Sequence, residues 1–348
     1  MCHLGVANAA CGAPRAPATV ESHPRNRADA AMSSSDAQPV IDPDTAAVLA
    51  AARAATAPNY EAIPLAEGRR IFHELGRGWN EPAPPLPVVQ AVTLPGPAGT
   101  LKARLYAPRS DAGLPVLLYL HGGGWTFGSI DSHDRFARLM AQDAGIAVLS
   151  LDYRLAPEAP FPAPRDDALA AFAWLEQGKA GALVDPTRIA IGGDSAGANL
   201  ALATTLARRD AGAALPRTAV LVYGCYAPSC DSESSRRFGG GDYLLTTARM
   251  RWYWKNYLGR DGEAAVNGAT PLRVSLAGLP PLYLNAAGLD PLLDDSLELA
   301  RRLAAAGVPY RLDVHPGVLH GFMQQTSKVA RARTALAAIV DHLKRALA

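Results

Sequence analysis

A mostly parallel, eight-stranded α/β sheet with helices on both faces is the architecture that this 348-residue sequence predicts. Three observations carry it. Short apolar runs alternate with helical stretches along residues 88–347, the rhythm of strand–helix–strand units. The later runs are apolar almost throughout, as strands covered on both faces must be. Between the run ending at Ile191 and an Ala/Leu-rich helical stretch stands Gly193-Asp194-Ser195-Ala196-Gly197, a tight strand-to-helix turn.

The elements follow in order. Residues 1–41 are rich in Ala, Pro, Arg and Ser without an apolar stretch of signal-peptide quality, so a disordered N-terminal arm is expected there. Asp42-Pro43-Asp44 is a helix-start signal: a capping side chain, a first-turn proline and an added negative charge. It predicts a helix to about residue 57, and a second over 65–75. A proline-rich connector ends the pair, so 42–86 reads as a small helical segment before a main domain over 87–348. Strands at 88–94 and 101–106 flank Pro95-Gly96-Pro97-Ala98-Gly99, a hairpin signal. Further strands are predicted at 116–120, 147–151, 188–191, 219–223, 282–286 and 310–314, and helices at 132–143, 164–176, 196–209, 291–306 and 327–347. Residues 227–280 are too long for a simple crossover and carry Arg251-Trp252-Tyr253-Trp254; they read as a second lid element.

Composition excludes several classes. With 34 Lys+Arg against 32 Asp+Glu the net charge is +2, and the arginine pairs at 69–70, 208–209, 236–237 and 301–302 are scattered. No broad field for nucleic acid or an anionic membrane results. No run approaches the ~18 apolar residues of a membrane span, and four cysteines in so long a chain are no disulfide framework. A cytoplasmic protein fits these features. No H-E-x-x-H, C-x-x-C or strand-linked G-x-G-x-x-G occurs, so neither a metal nor a cofactor is expected.

Two segments point to acyl-transfer chemistry. The 193–197 turn forces its central residue into strained geometry and lifts the Ser195 hydroxyl to a helix N-terminus, where developing negative charge is favoured. His121-Gly122-Gly123-Gly124-Trp125 directly follows the strand at 116–120, and three bare glycines can present main-chain N–H groups to an oxyanion. A serine nucleophile needs a base, and the base an orienter. Of the histidines after Ser195, His342 falls on a terminal amphipathic helix and reads as surface. His315 closes a strand too early in its loop. His320, followed by Gly321, lies well into the loop and is favoured. Asp290, Asp294, Asp295 and Asp313 compete as the acid. Asp290 alone would pass for a helix cap before Pro291, but the order serine, acid, histidine selects it.

The motifs His121-Gly122-Gly123-Gly124, Asp152-Tyr153-Arg154-Leu155-Ala156-Pro157-Glu158, Gly193-Asp194-Ser195-Ala196-Gly197, Asp290-Pro291-Leu292 and His320-Gly321-Phe322 resemble those of the hormone-sensitive-lipase-like family of α/β-hydrolases, the bacterial family IV carboxylesterases. The resemblance covers roughly residues 42–348. It implies the α/β-hydrolase fold with a helical cap built from 42–86 and an insertion at about 227–280. It also implies Ser195 as nucleophile, His320 as base and then acid, Asp290 as orienting carboxylate, and Gly123, Gly124 and Ala196 as oxyanion donors. His121, Arg154 and Glu158 become supports of that loop. The substrate implied is a small carboxylic ester with a short or medium acyl chain. A homodimer through the edge strand near Tyr310 and Val314 is implied by relatives as well. An amidase, lactonase or carbamate hydrolase on the same triad is the alternative; a non-catalytic small-ligand receptor, as plant gibberellin receptors are, lacks the histidine present here. The sequence departs from the family at Ala198, where glycine is frequent, and at Leu293-Asp294-Asp295, where Arg-Asp-Glu is common.

Overall fold

A computed structural model describes residues 39–55, 58–259 and 268–348. The arm expected over 1–41 therefore lies, up to residue 38, outside the described residues, as does part of the 227–280 insertion. Eight strands form one sheet: β1 (Val88–Gly96), β2 (Gly99–Ala107), β3 (Leu114–Leu120), β4 (Ala147–Asp152), β5 (Val184–Asp194), β6 (Ala219–Val222), β7 (Leu282–Leu289) and β8 (Tyr310–Leu319). Their order is β1-β2-β4-β3-β5-β6-β7-β8. The β1–β2 hairpin and the β2–β4 pair are antiparallel, and the other pairs are parallel.

Side chains alternate across a strand, so a run buried throughout must feed two cores. All of β3 is buried. Val116, Leu118 and Leu120 enter one core with α4 (Ala163–Glu176), α5 (Ala196–Asp210) and α8 (Leu293–Ala305), while Leu117 and Tyr119 enter the other with α3 (Asp134–Ala144) and α9 (Ala330–Ala346). Before the sheet stand α1 (Pro43–Ala54) and α2 (Leu65–Trp79); α6 (Glu233–Phe238) and α7 (Thr247–Leu258) occupy the insertion after β6. Asp42 caps α1 through bonds from the N–H groups of Asp44 and Thr45.

Three expectations need correction. The strand predicted at 188–191 runs on to Asp194, because Gly192 and Gly193 pair with Tyr119 and Leu120 on one side and with Val220 and Leu221 on the other. The strand at 310–314 runs on to Leu319: among the described residues β8 pairs with β7 alone, and an edge strand tolerates the missing N–H of Pro316. His342 is half-buried rather than on the surface, with Nε2 2.7 Å from Thr218 Oγ1 and its ring 5.2 Å from that of Tyr283.

Register places the functional loops. Leu120 pairs with Gly193, so the glycine loop leaving β3 and the turn leaving β5 emerge side by side. Leu289 pairs with Leu319, which does the same for Asp290 and His320. All of these loops leave the carboxyl ends of parallel strands, and between β3 and β5 the strand order reverses, the place where open α/β sheets present a crevice.

Candidate active site

Ser195 adopts φ 54° and ψ −119°, a conformation that costs of order 1–3 kcal/mol in a non-glycine residue and persists only when its surroundings enforce it. The enforcement is local. Its N–H donates to Val222 O at 2.8 Å, and α5 begins at once with Ala196. Gly193 and Gly197 pack so closely on the Leu120 carbonyl that a Cβ on either would collide with it. Only glycines let the turn sit this near β3.

Two hydrogen bonds join the three side chains that the sequence analysis selected. His320 Nε2 lies 2.9 Å from Ser195 Oγ, and His320 Nδ1 lies 2.7 Å from Asp290 Oδ2. The other oxygen of Asp290 accepts from Leu292 N at 2.9 Å. Asp290 is thus half a turn-former, as its helix-cap look suggested, and half a partner for imidazole. Its carboxylate is buried and His320 only partly so. The Tyr223 ring rests 4.8 Å from the His320 ring.

The competing residues are engaged elsewhere. His315 lies inside β8, where its Nε2 contacts Asn285 Nδ2 at 2.9 Å and burial pushes its pKa down. Asp313 accepts from the Tyr283 hydroxyl and from Arg311. Asp294 takes the Ser234 N–H, and Asp295 the N–H groups of Tyr226 and Ala227. This pair ties the start of the insertion to the first turn of α8. Burial is the main reason the Asp295 carboxyl is pushed up to about 7, and nearby Asp290 and Asp294 add to it against the two amide bonds.

Gly123 and Gly124 have φ of 122° and 60°. Neither donates a backbone hydrogen bond among the described residues, and neither does Ala196. These N–H groups are thus left without a backbone acceptor, on loops that emerge side by side with the turn carrying Ser195. His121 is buried beneath this loop; its Nδ1–H donates to Gly122 O at 2.9 Å, and its ring stacks on Tyr153 at 4.3 Å. Burial, reinforced by His133, holds its pKa down to about 3, so the ring is neutral. Arg154 forks onto buried Asp167. Glu158 binds Arg69 of α2, which also donates to Thr126 O and Ala156 O. From the insertion, Tyr257 of α7 stacks on Trp125 at 4.1 Å, and Trp254 packs at 4.6 Å.

Sequence reasoning passed over Arg69, Tyr119, His133 and Asp194. Asp194 carried a signal, since alternation along β5 sends its side chain to the face opposite Gly193. Nothing in the pattern distinguished Arg69 from Arg70. Among the described residues no group of three or more His, Cys, Asp or Glu is placed to hold a metal ion, and no helix is long and apolar enough to cross a membrane.

A strained serine at the carboxyl edge of a parallel sheet, hydrogen-bonded to histidine and through it to aspartate, defines a hydrolase of the serine type. The family profile described as alpha/beta hydrolase fold matches residues 117–324. The chain is 40% identical over 254 residues to the carboxylic ester hydrolase LipN of Mycobacterium tuberculosis, covering 70% of this chain and 66% of that one. It is 37% identical over 319 residues to an ethyl acetate hydrolase of Pseudomonas putida, covering 88% and 99%. An ester hydrolase from the metagenome of Lake Arreo superposes with a TM-score of 0.83 at 34% identity, covering 88% of this chain and 99% of that one. The chain belongs to the alpha/beta hydrolase family, and within it is a carboxylic ester hydrolase.

Proposed function

We propose that Ser195 attacks the ester carbonyl while His320 Nε2 takes its proton, with Asp290 holding the imidazole by Nδ1. The tetrahedral oxyanion rests on the N–H groups of Gly123, Gly124 and Ala196. His320 then protonates the departing alcohol, and water hydrolyses the acyl-enzyme by the same steps. The observation that carries this reading is the chain of bonds Ser195–His320–Asp290, at 2.9 and 2.7 Å; that the amides of Gly123, Gly124 and Ala196 have no backbone acceptor among the described residues supports it. Helices α1, α2, α6 and α7 serve as the cap; α2 and α7 reach the oxyanion loop through Arg69, Trp254 and Tyr257. Short or medium acyl esters are the substrate class, supported by the Pseudomonas putida relative named for ethyl acetate. The outer edge of β8 near Tyr310 and Val314, both more than a third exposed, is the surface for a homodimer.

Reaction with a fluorophosphonate, followed by peptide mapping, tests the nucleophile: the label is expected on Ser195 alone. A folded Ser195→Ala protein that still hydrolysed p-nitrophenyl acetate or butyrate would defeat the assignment. Paired ester and amide substrates of one acyl group decide between an esterase and an amidase.

A further inference from the structure

Asp194 takes part in neither proton transfer, yet its carboxylate is buried and engaged on all sides. Oδ1 accepts the Tyr119 hydroxyl at 2.6 Å and the Gly122 N–H at 2.9 Å; His133 Nε2 lies 3.3 Å from Oδ1 and 3.3 Å from the Gly122 nitrogen, whose longer second contact it is. Oδ2 faces the Tyr223 hydroxyl at 3.5 Å. Burial would push the carboxyl up; His133, the Tyr119 hydroxyl and the Gly122 amide outweigh it and hold the pKa down to about 2. The group is an anion without a lysine or arginine among these contacts, sustained by donors.

Those donors belong to several parts of the site. Gly122 is the residue before the two oxyanion glycines, and its Cα lies flush against Asp194: a Cβ there would stand 2.5 Å from Oδ2. Asp194 is peptide-bonded to Ser195. Tyr223 packs on His320. His133 is itself held by Ser132 Oγ at 2.8 Å from Nδ1. One carboxylate therefore bridges the nucleophile turn and the oxyanion loop. Because peptide units are rigid planes, fixing the Gly122 amide restricts where the next two N–H groups point.

We propose that Asp194 is a positioning residue that sets the distance and direction of the Gly123 and Gly124 amides relative to Ser195, through its hydrogen bond to the Gly122 amide. The proposal rests on the reading of those glycines as oxyanion donors. Preorganised donors act on the transition state more than on the bound ester, so loosening them lowers kcat and leaves KM nearly untouched.

The test is Asp194→Asn with Tyr119→Phe beside it, assayed on p-nitrophenyl butyrate and on inhibition by an aryl trifluoromethyl ketone. The ketone forms a tetrahedral adduct on serine whose oxygen needs the same donors. Asp194→Asn is expected to cut kcat by about 10²-fold, in the range for loss of an oxyanion donor, and to weaken the ketone in parallel, with KM within about threefold. Tyr119→Phe, which deletes one bond to the carboxylate and leaves the Gly122 bond, is expected to show about a 3- to 10-fold loss in both. Folding is followed by circular dichroism and by fluorophosphonate stoichiometry. Unchanged kcat and ketone affinity in a folded Asp194→Asn protein overturns the proposal. So does a fall in kcat with ketone affinity intact. If Asp194→Asn does not fold, Tyr119→Phe decides by the same parallel. Ser195→Ala separates the two levels: activity surviving there overturns the nucleophile assignment itself, whereas an inert Ser195→Ala beside a fully active Asp194→Asn overturns only the positioning role.

Discussion

His320 Nε2 stands 2.9 Å from Ser195 Oγ although 125 positions of sequence separate the two residues. Two register pairs produce the meeting. Leu120 with Gly193 brings the oxyanion loop beside the nucleophile turn, and Leu289 with Leu319 brings acid and histidine together on the far side of β6. Tyr223, at the end of the strand between, fills the space under the imidazole.

Replacing Asp290 with Asn tests what the buried carboxylate contributes. The amide keeps the shape and the bond to Leu292 N, but it offers imidazole Nδ1 a donor in place of an anion if its NH₂ faces the ring. The wrong tautomer then points at Ser195. A fall in kcat of about 10⁴-fold is expected, as for the equivalent change in a serine protease, with the melting temperature lowered only slightly. An Asp290→Asn enzyme retaining more than a tenth of parent kcat on p-nitrophenyl butyrate would show that orientation comes from elsewhere.

Arg69 links α2 to the site by four bonds, two to Glu158 and one each to the carbonyls of Thr126 and Ala156. The ion pair is partly exposed and adds little by itself. The carbonyl bonds matter more, because Thr126 follows the oxyanion loop by two residues. Lysine cannot reproduce the fork. Arg69→Lys is therefore expected to behave nearly as badly as Arg69→Ala, each losing about tenfold in kcat/KM. Rescue to parent activity by lysine would mean that charge alone suffices.

The fold was legible wherever burial is two-sided. Runs such as Val116 to Leu120 can hardly be anything but central strands, and glycine-rich turns following them announce their chemistry locally. Asp290 and His320 became legible through order along the chain, since strands added successively to one side of a sheet deliver their loops to one edge. Partnerships across the fold were not legible. Arg69 and Arg70 are neighbours in sequence, yet Arg70 reaches Glu74 one turn along an exposed helix face while Arg69 turns inward to two loops. The bond from Gly122 to Asp194 spans 72 positions with no periodicity to betray it. His342 looked like a surface residue because its helix is amphipathic, but it sits where the apolar face meets β6 and β7.

Gly124 offers a sterically defined test of the oxyanion loop. Its φ of 60° already disfavours a side chain, and a Cβ there would run into the Tyr253 ring of α7. Gly124→Ala must shift either the amide or the helix. We expect kcat to drop by about 10²-fold or more, together with a loss of about 1–3 kcal/mol in stability from strain and overpacking. A denaturant titration run beside the kinetics checks both. Parent-like kcat in this variant would place the reacting carbonyl away from Gly124.

Three groups give stability a pH dependence whose sign can be worked out. His121 and His342 ordinarily titrate near 6.5 and are pushed by burial to about 3 and about 4 in the fold. Between those values the unfolded chain binds more protons, so their contribution is complete above about 6.5 and is lost as pH falls. Asp295 runs the other way. Its carboxyl is raised from 3.8 to about 7, so the folded state holds the extra proton and stability declines as pH climbs through that interval. Urea midpoints at pH 5, 6 and 7.5 separate the two. His342→Gln, which keeps a partner for Thr218, is expected to flatten the loss between pH 6 and pH 5 by about 1 kcal/mol, a fraction of the full shift because the window spans only one pH unit of it. Asp295→Asn is expected to gain on the parent at pH 7.5 relative to pH 5, since an amide carries no charge to bury. A parent-like pH slope in both variants would mean that neither side chain feels the interior, and the acid sensitivity of the protein would then rest on groups such as His121, His315 and Asp194.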